Sequence, residues 1–164
     1  MIKSILELPE QHTAVLTILR EEMPPAKYPW ALTGSAGLRL QGLDLSVNDL
    51  DLQTDAATVF LLEKILSQYM KVPVHPWQTA HTLSYHGQAE IQGLQVELLG
   101  DIRHRLADQT WSESLEIGSL LVWVKWHGLE VPVLSLEHEA LAYEKMGRMQ
   151  KAALIRSALR KEIL

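Results

Sequence analysis

Seven residues, Val47-Asn48-Asp49-Leu50-Asp51-Leu52-Gln53, alternate strictly in character. Successive side chains of a strand point to opposite faces, so the run predicts a strand over 47–53 with Leu50 and Leu52 turned to a core. Asp49 and Asp51 then share the other face, with Val47 and Gln53. Two carboxylates about 7 Å apart along a strand repel each other. Burying them is costly without a cation. Hard oxygen donors of this kind suit Mg²⁺, which takes one or two carboxylates together with substrate phosphates.

The elements around this strand alternate in type. Ala14, Val15, Ile18 and Leu19 recur at helical spacing within 10–23, and Pro24-Pro25 stops that helix. Tyr28 to Leu32 is a short apolar run ending in a turn at Thr33-Gly34-Ser35, with Ser35 as N-cap of a helix over 36–40. Asp55 caps a helix from Ala56 to about Tyr69, with Phe60, Leu61, Ile65 and Leu66 as its apolar stripe. Residues 72–99 read as β-rich, with strands at Thr82–His86, Gln88–Gln92 and, after Gly93, Leu94–Leu99. A second hairpin runs from Leu120 to Trp126, turns at His127-Gly128 and returns from Leu129 to Leu134. Ser135 opens a helix to about Met146 that Gly147 ends, and a last helix covers 150–163. This order predicts an α+β (mixed α/β) chain, with a mixed sheet packed by helices and helices at the C-terminus. At 164 residues it is read as one domain over 1–164, with core motifs at about 28–100 and the C-terminal hairpin and helices at about 118–164.

Two further features bear on the Asp49–Asp51 pair. In Leu94-Gln95-Val96-Glu97-Leu98-Leu99, Glu97 is a carboxylate on the face away from the core. Gly34-Ser35 lies at a strand-to-helix corner, where a glycine lets backbone approach a phosphate and free N–H groups face an anion. A phosphate corner, a carboxylate pair and a third carboxylate are the parts that metal-assisted phosphoryl chemistry needs. Asp101 is the nearest competitor for the place of Glu97. His86 could line the same cleft, because its strand should neighbour that of Glu97. Arg148 and Lys151 either form a solvated face or reach a triphosphate from the C-terminal helices. Trp123 and Trp126 are read as packing or interface groups. Gly34 to Gly42 is not a Walker A loop, and His138-Glu139 lacks the second histidine of a zinc-protease helix.

Composition removes other classes. The chain has no cysteine, which excludes a disulfide framework, a thiolate zinc site and a cysteine nucleophile. Fifteen Lys and Arg against 20 Asp and Glu leave a net charge of −5, so no strong nucleic-acid binding is expected. No apolar run of about 18 residues is present, and the acidic N-terminus does not read as a signal peptide. A cytoplasmic protein without a membrane segment is expected.

The segment Leu32-Thr33-Gly34-Ser35, thirteen intervening residues, then Asp49-Leu50-Asp51-Leu52 resembles the nucleotidyltransferase (DNA polymerase beta-like) superfamily, in particular its small bacterial minimal-nucleotidyltransferase type. Val96-Glu97-Leu98 fits the place of the later strand that supplies the third carboxylate. The resemblance implies that Gly34 and Ser35 bind a nucleoside triphosphate, with Arg148 and Lys151 as further nucleotide-binding candidates. It implies that Asp49, Asp51 and Glu97 hold Mg²⁺ or Mn²⁺ and carry catalysis. The implied reaction moves a nucleoside monophosphate, AMP from ATP for preference, onto a hydroxyl of a small molecule or protein by a two-metal mechanism. An antitoxin-type regulatory member, paired with a toxin or as a homodimer, is the alternative, as is a non-catalytic nucleotide-binding one. The longer acceptor-binding regions of the polymerases and poly(A)-adding enzymes are missing here, so the resemblance names no acceptor.

Overall fold

The computed structural model describes residues 6–163; Met1–Ile5 and Leu164, and with them the first half of the N-terminal segment read above, lie outside the described residues. In chain order the elements are α1 (Glu10–Glu22), β1 (Trp30–Thr33), α2 (Gly34–Leu40), β2 (Leu50–Thr54), α3 (Ala56–Ile65), β3 (Met70–Gln78), β4 (Thr82–Ile91), β5 (Leu94–His104), β6 (Leu121–Trp126), β7 (Leu129–Leu134), α4 (Leu136–Lys145) and α5 (Met149–Ile163). The strands form one mixed seven-stranded sheet in the order β3-β4-β5-β2-β1-β7-β6. β2 runs parallel to β5, and β1 parallel to β7, while the remaining neighbours are antiparallel. The α+β architecture with C-terminal helices is as the sequence predicts. No helix among the described residues is long and apolar enough to cross a membrane.

The alternation of β2 and β5 decides which face is the core. Leu50, Leu52, Val96 and Leu98 are buried against Val15, Leu16 and Leu19 of α1 and Val59 and Leu62 of α3. Each such side chain contributes about 1.5–3 kcal/mol through burial. A second apolar cluster joins Leu38 of α2 to Leu136, Ala140 and Tyr143 of α4 and to Ala152 and Ile155 of α5. The ion pair Arg156–Glu144, at 2.5 Å, links α5 to α4. The carboxylate face of β2 and β5 thus lies open beside α4.

Both expected caps of the longer helices form. Asp55 accepts a hydrogen bond from the Thr58 amide at 2.8 Å, and Ser135 accepts one from His138 at 3.2 Å. Gly147 leaves α4 with φ of 76°.

Four local expectations need correction. α2 begins at Gly34, so Ser35 lies inside its first turn and is not the N-cap. β2 begins only at Leu50, because its ladder with β5 starts there and that with β1 one residue later; Asp49 sits in the bend before it. Residues 82–91 form one strand, since Gly87 pairs with Leu98 rather than turning. Of the stripe read for α3, Ile65 and Leu66 do pack on the core, but Phe60 and Leu61 are exposed, Phe60 lying edge-on to Tyr85 at 5.3 Å, and Thr58, Val59 and Leu62 are buried instead.

Gly100 shows how closely α3 lies on the sheet. A Cβ there would stand 2.6 Å from Val59 Cγ1 and 2.8 Å from Val59 Cβ. Gly100→Ala is expected to destabilise the protein by about 1–3 kcal/mol, the usual cost of overpacking a filled core. Thermal denaturation checks this, and an unchanged midpoint would mean that α3 sits less tightly than described.

Candidate active site

Strand register assembles the centre. Asp51 of β2 is paired across the sheet with Thr33 of β1 on one side and with Glu97 of β5 on the other, and Glu97 with Gln88 of β4. Residues opposite one another in a sheet point to the same face, so four strands deliver one row of polar side chains. Asp51 and Glu97 stand opposite one another in the ladder, so two carboxyl groups share one side of the sheet and a proton or a cation is favoured between them. Burial pushes the Asp51 carboxyl up to about 7, helped by the charges of Glu97 and Asp49 and opposed by Lys151. Asp49 is also raised, first by burial and then by Glu97, with His12 opposing.

The remaining partners of Glu97 hold it in place. Gln95 Nε2 donates to Glu97 Oε1 at 2.8 Å, and His86 Nε2 lies 3.6 Å from Glu97 Oε2. His86 therefore does line the cleft. Asp101 does not; its carboxylate is bound by Arg103 at 3.0 Å. Arg148 lines the cleft as well, its guanidinium 5.0 Å from the centre of the Tyr143 ring, with Lys151 Nζ at 5.5 Å from the same ring. Burial lowers the Lys151 pKa, Arg148 lowers it further, and the charges of Glu139 and Asp51 oppose this.

Gly34 closes the row at its β1 end. It has φ of 65°, and a Cβ there would stand 2.5 Å from Asp51 Oδ2. The turn therefore brings bare backbone against the carboxylate. Ser35 follows in the first turn of α2.

Glu139 is the residue that the motif reading passed over. It is 4% exposed on α4, accepts a hydrogen bond from Thr33 Oγ1, and lies within electrostatic reach of Asp51. Burial raises its pKa to about 7, opposed by Thr33 and the Gly34 backbone. The only local signal was a Glu on the buried side of a helix. Its partners lie more than a hundred residues away.

A bulge extends the cleft past the carboxylates. Leu83 pairs with Arg103 and Tyr85 with Gly100, so two steps on β4 oppose three on β5. Asp101, with φ of 52°, lies within the bulged stretch. A one-residue bulge reverses the alternation. Glu97 and Leu99 before it, and Ile102 and His104 after it, consequently line one cleft of about 270 Å³ between the sheet and α4.

The donor set suits a hard cation. Among the described residues no three carboxylate or histidine groups form a ready cage for a metal. Mg²⁺ does not require one, since one or two carboxylates and the phosphates of a substrate complete its shell. Asp51 and Glu97, which otherwise favour a proton between them, fit that role, with Asp49 beside them.

A pH dependence separates this pair from the rest of the protein. A carboxyl that titrates near 4 when unfolded and near 7 when folded binds more protons in the folded state, so its contribution to stability is lost as pH rises through that window. Depressed histidines act in the opposite sense below about pH 6.5, so the difference between two variants is the useful quantity. In EDTA, Asp51→Asn is expected to gain stability over the wild type as pH rises from 4 to 8, by on the order of 2 kcal/mol. Melting temperatures across that range check it; a constant difference would mean that Asp51 is not held protonated.

The profile of the Aminoglycoside-2''-adenylyltransferase family matches residues 14–154. No curated protein matches the sequence. Among solved structures, a Thermotoga maritima protein described as a candidate nucleotidyltransferase superposes with a TM-score of 0.83 at 35% identity, over 95% of this chain and 97% of that one. The lincosamide antibiotic adenylyltransferase LnuA, lincomycin-bound, superposes with a TM-score of 0.53 over 90% of this chain and 98% of that one; at 15% identity this is a likeness of fold.

Proposed function

The chain belongs to the Aminoglycoside-2''-adenylyltransferase family, and on that premise we propose that it transfers AMP from ATP to a hydroxyl group of a small molecule. The observation that carries the proposal is the Asp51–Glu97 carboxylate pair, in register across β2 and β5 and set in one sheet row with the Gly34 corner. Bound Mg²⁺ or Mn²⁺ would neutralise phosphate charge and lower the pKa of the attacking hydroxyl. Asp49, Asp51 and Glu97 are the side chains to hold it.

In the proposed reaction the acceptor oxygen forms a bond to the α-phosphorus. The bond from that phosphorus to the β-phosphate bridging oxygen breaks, and pyrophosphate leaves. Glu97 takes the proton of the acceptor hydroxyl, oriented for it by Gln95 and His86. Gly34 and Ser35 receive the phosphates, where an added side chain would block their approach. Arg148 and Lys151 lie on the α4–α5 side of the cleft, where they can balance triphosphate charge.

A small acceptor is favoured over nucleic acid. Arg156, in the middle of the C-terminal basic residues, is neutralised by Glu144, and the net charge is −5.

Labelled ATP tests the reading. With Mg²⁺ and a set of hydroxyl compounds, label from the α-phosphate is expected to enter an acceptor with one pyrophosphate released per transfer. ATP with Mg²⁺ at about a hundredfold over its Kd is expected to stabilise the protein by about 2.7 kcal/mol. Absence of any Mg²⁺-dependent stabilisation by nucleotide would contradict the proposal.

A further inference from the structure

We infer that His12 of α1 is a positioning residue for the metal centre: its ring holds the Asn48 carbonyl and so sets where the next residue, Asp49, presents its carboxylate. This rests on the adenylyl-transfer reading and adds to its metal site a residue that acts only through another.

The place of His12 in the helix calls for an apolar residue. α1 buries His12, Val15, Leu16 and Leu19, the i, i+3, i+4, i+7 stripe by which an amphipathic helix meets a core. The last three belong to the main apolar cluster, and His12 is 6% exposed beside them. An imidazole in such a stripe costs desolvation that a leucine would not. Its Nδ1 is buried without a hydrogen-bond partner among the described residues. Its Nε2 lies 2.9 Å from the backbone oxygen of Asn48. A carbonyl only accepts, so Nε2 carries the proton and donates it. The one polar residue of the four thus gives its hydrogen bond to a single peptide group, 36 residues further along the chain.

That peptide is the one that enters Asp49. The Asn48 carbonyl and the Asp49 amide form one planar unit, so fixing the oxygen fixes the plane from which the Asp49 Cα departs. Asp49 needs such a hold more than its two partners do. Asp51 and Glu97 are set opposite each other by the sheet, whereas the ladder of β2 starts only after Asp49. The loop that leads to it is fastened further back by Arg39, whose Nη1 donates to Asp44 Oδ1 at 2.8 Å and to the Leu45 carbonyl at 3.3 Å. His12 fastens it again at the residue before Asp49, while the Asn48 side chain stays exposed. The ring also stands close enough to Asp49 to oppose the rise in that carboxyl's pKa. A buried, immobile side chain on α1 therefore fixes the one carboxylate of the three that a loop carries.

Calorimetric titration of Mn²⁺ into the full chain mixed with an excess of a non-hydrolysable ATP analogue tests this. His12→Leu keeps an apolar side chain in the stripe and removes the donor. The Mn²⁺ concentration at half-saturation should rise about three- to tenfold, the worth of one hydrogen bond. His12→Gln carries an amide N–H about where Nε2 lies and should restore most of the affinity. His12→Asn, one carbon shorter, should not. Val15→Ala, one turn along the same helix, loosens packing alone; it should lower the melting temperature and leave the Mn²⁺ titration as in the wild type. Should His12→Leu fail to fold, the Gln and Asn variants make the comparison by themselves. Equal Mn²⁺ affinity in the wild type and the folded His12 variants, or a loss in Val15→Ala as large as that in the His12 variants, would overturn the inference while leaving adenylyl transfer standing. Failure of the wild type to bind Mn²⁺ with the analogue would instead remove the adenylyl-transfer reading, and this one with it.

Discussion

Asp51→Asn is expected to lower adenylyl transfer about a thousandfold, the equivalent of about 4 kcal/mol of transition-state stabilisation. Asn keeps the size and one oxygen of the side chain but removes the charge that faces Glu97. The protein should remain folded, because Asn matches the size of the carboxyl it replaces, leaves no buried charge to compensate and disturbs neither Leu50 nor Leu52 on the other face. A loss confined to kcat would place Asp51 at the developing charge, whereas a loss confined to KM would limit it to nucleotide binding. Transfer within about tenfold of the wild type would exclude Asp51 from the chemistry.

Gly34→Val is expected to abolish nucleotide binding, a loss of at least about a hundredfold. Two physical effects coincide at this position. The backbone has φ of 65°, which a β-branched residue adopts only with strain. The new Cβ would also meet Asp51 Oδ2 at 2.5 Å, so the carboxylate must move. Ser35→Ala removes one hydroxyl and should cost about 0.5–1.5 kcal/mol, or roughly three- to tenfold. Calorimetry on both variants, with circular dichroism to confirm the fold, compares them. Equal losses would mean that Gly34 has no special part in admitting the phosphates.

How much of this was legible beforehand depended on sequence distance. Asp49 and Asp51 are two residues apart, and Gly34 and Ser35 are adjacent, so local periodicity and turn chemistry exposed them. The family resemblance read from those two motifs agrees with the family and structural matches. Glu97 could be placed on the outer face of its strand because Leu94, Val96 and Leu98 alternate with it. Its register opposite Asp51 is a tertiary fact. Glu139 was hidden for a related reason: its partners Thr33 and Gly34 are on another strand and helix, and the pattern around it resembled only a broken metal motif. His104 was hidden by the bulge. Counting alternate residues from Glu97 sends His104 to the wrong face, and nothing near Asp101 in sequence announces the extra residue. Half of the apolar stripe read for α3 misled: Ile65 and Leu66 pack on the core as read, but Phe60 and Leu61, among its most hydrophobic residues, are exposed, and the helix packs instead through Val59 and Leu62, with Thr58 also buried. Hydrophobicity was a poorer guide there than the direction in which the sheet lies.

The central claim is that Asp49 and Asp51, with Glu97, bind nucleotide through a divalent cation. Isothermal titration of a non-hydrolysable ATP analogue into the full chain tests it most directly, with Mg²⁺ and with EDTA, for the wild type and for the Asp49→Asn, Asp51→Asn double variant. The account predicts saturable binding by the wild type in Mg²⁺, binding weakened at least about tenfold in EDTA, and the same weak binding by the double variant in either buffer. Equal affinity in all four titrations would contradict it, because the nucleotide would then be held without the carboxylates and without the metal.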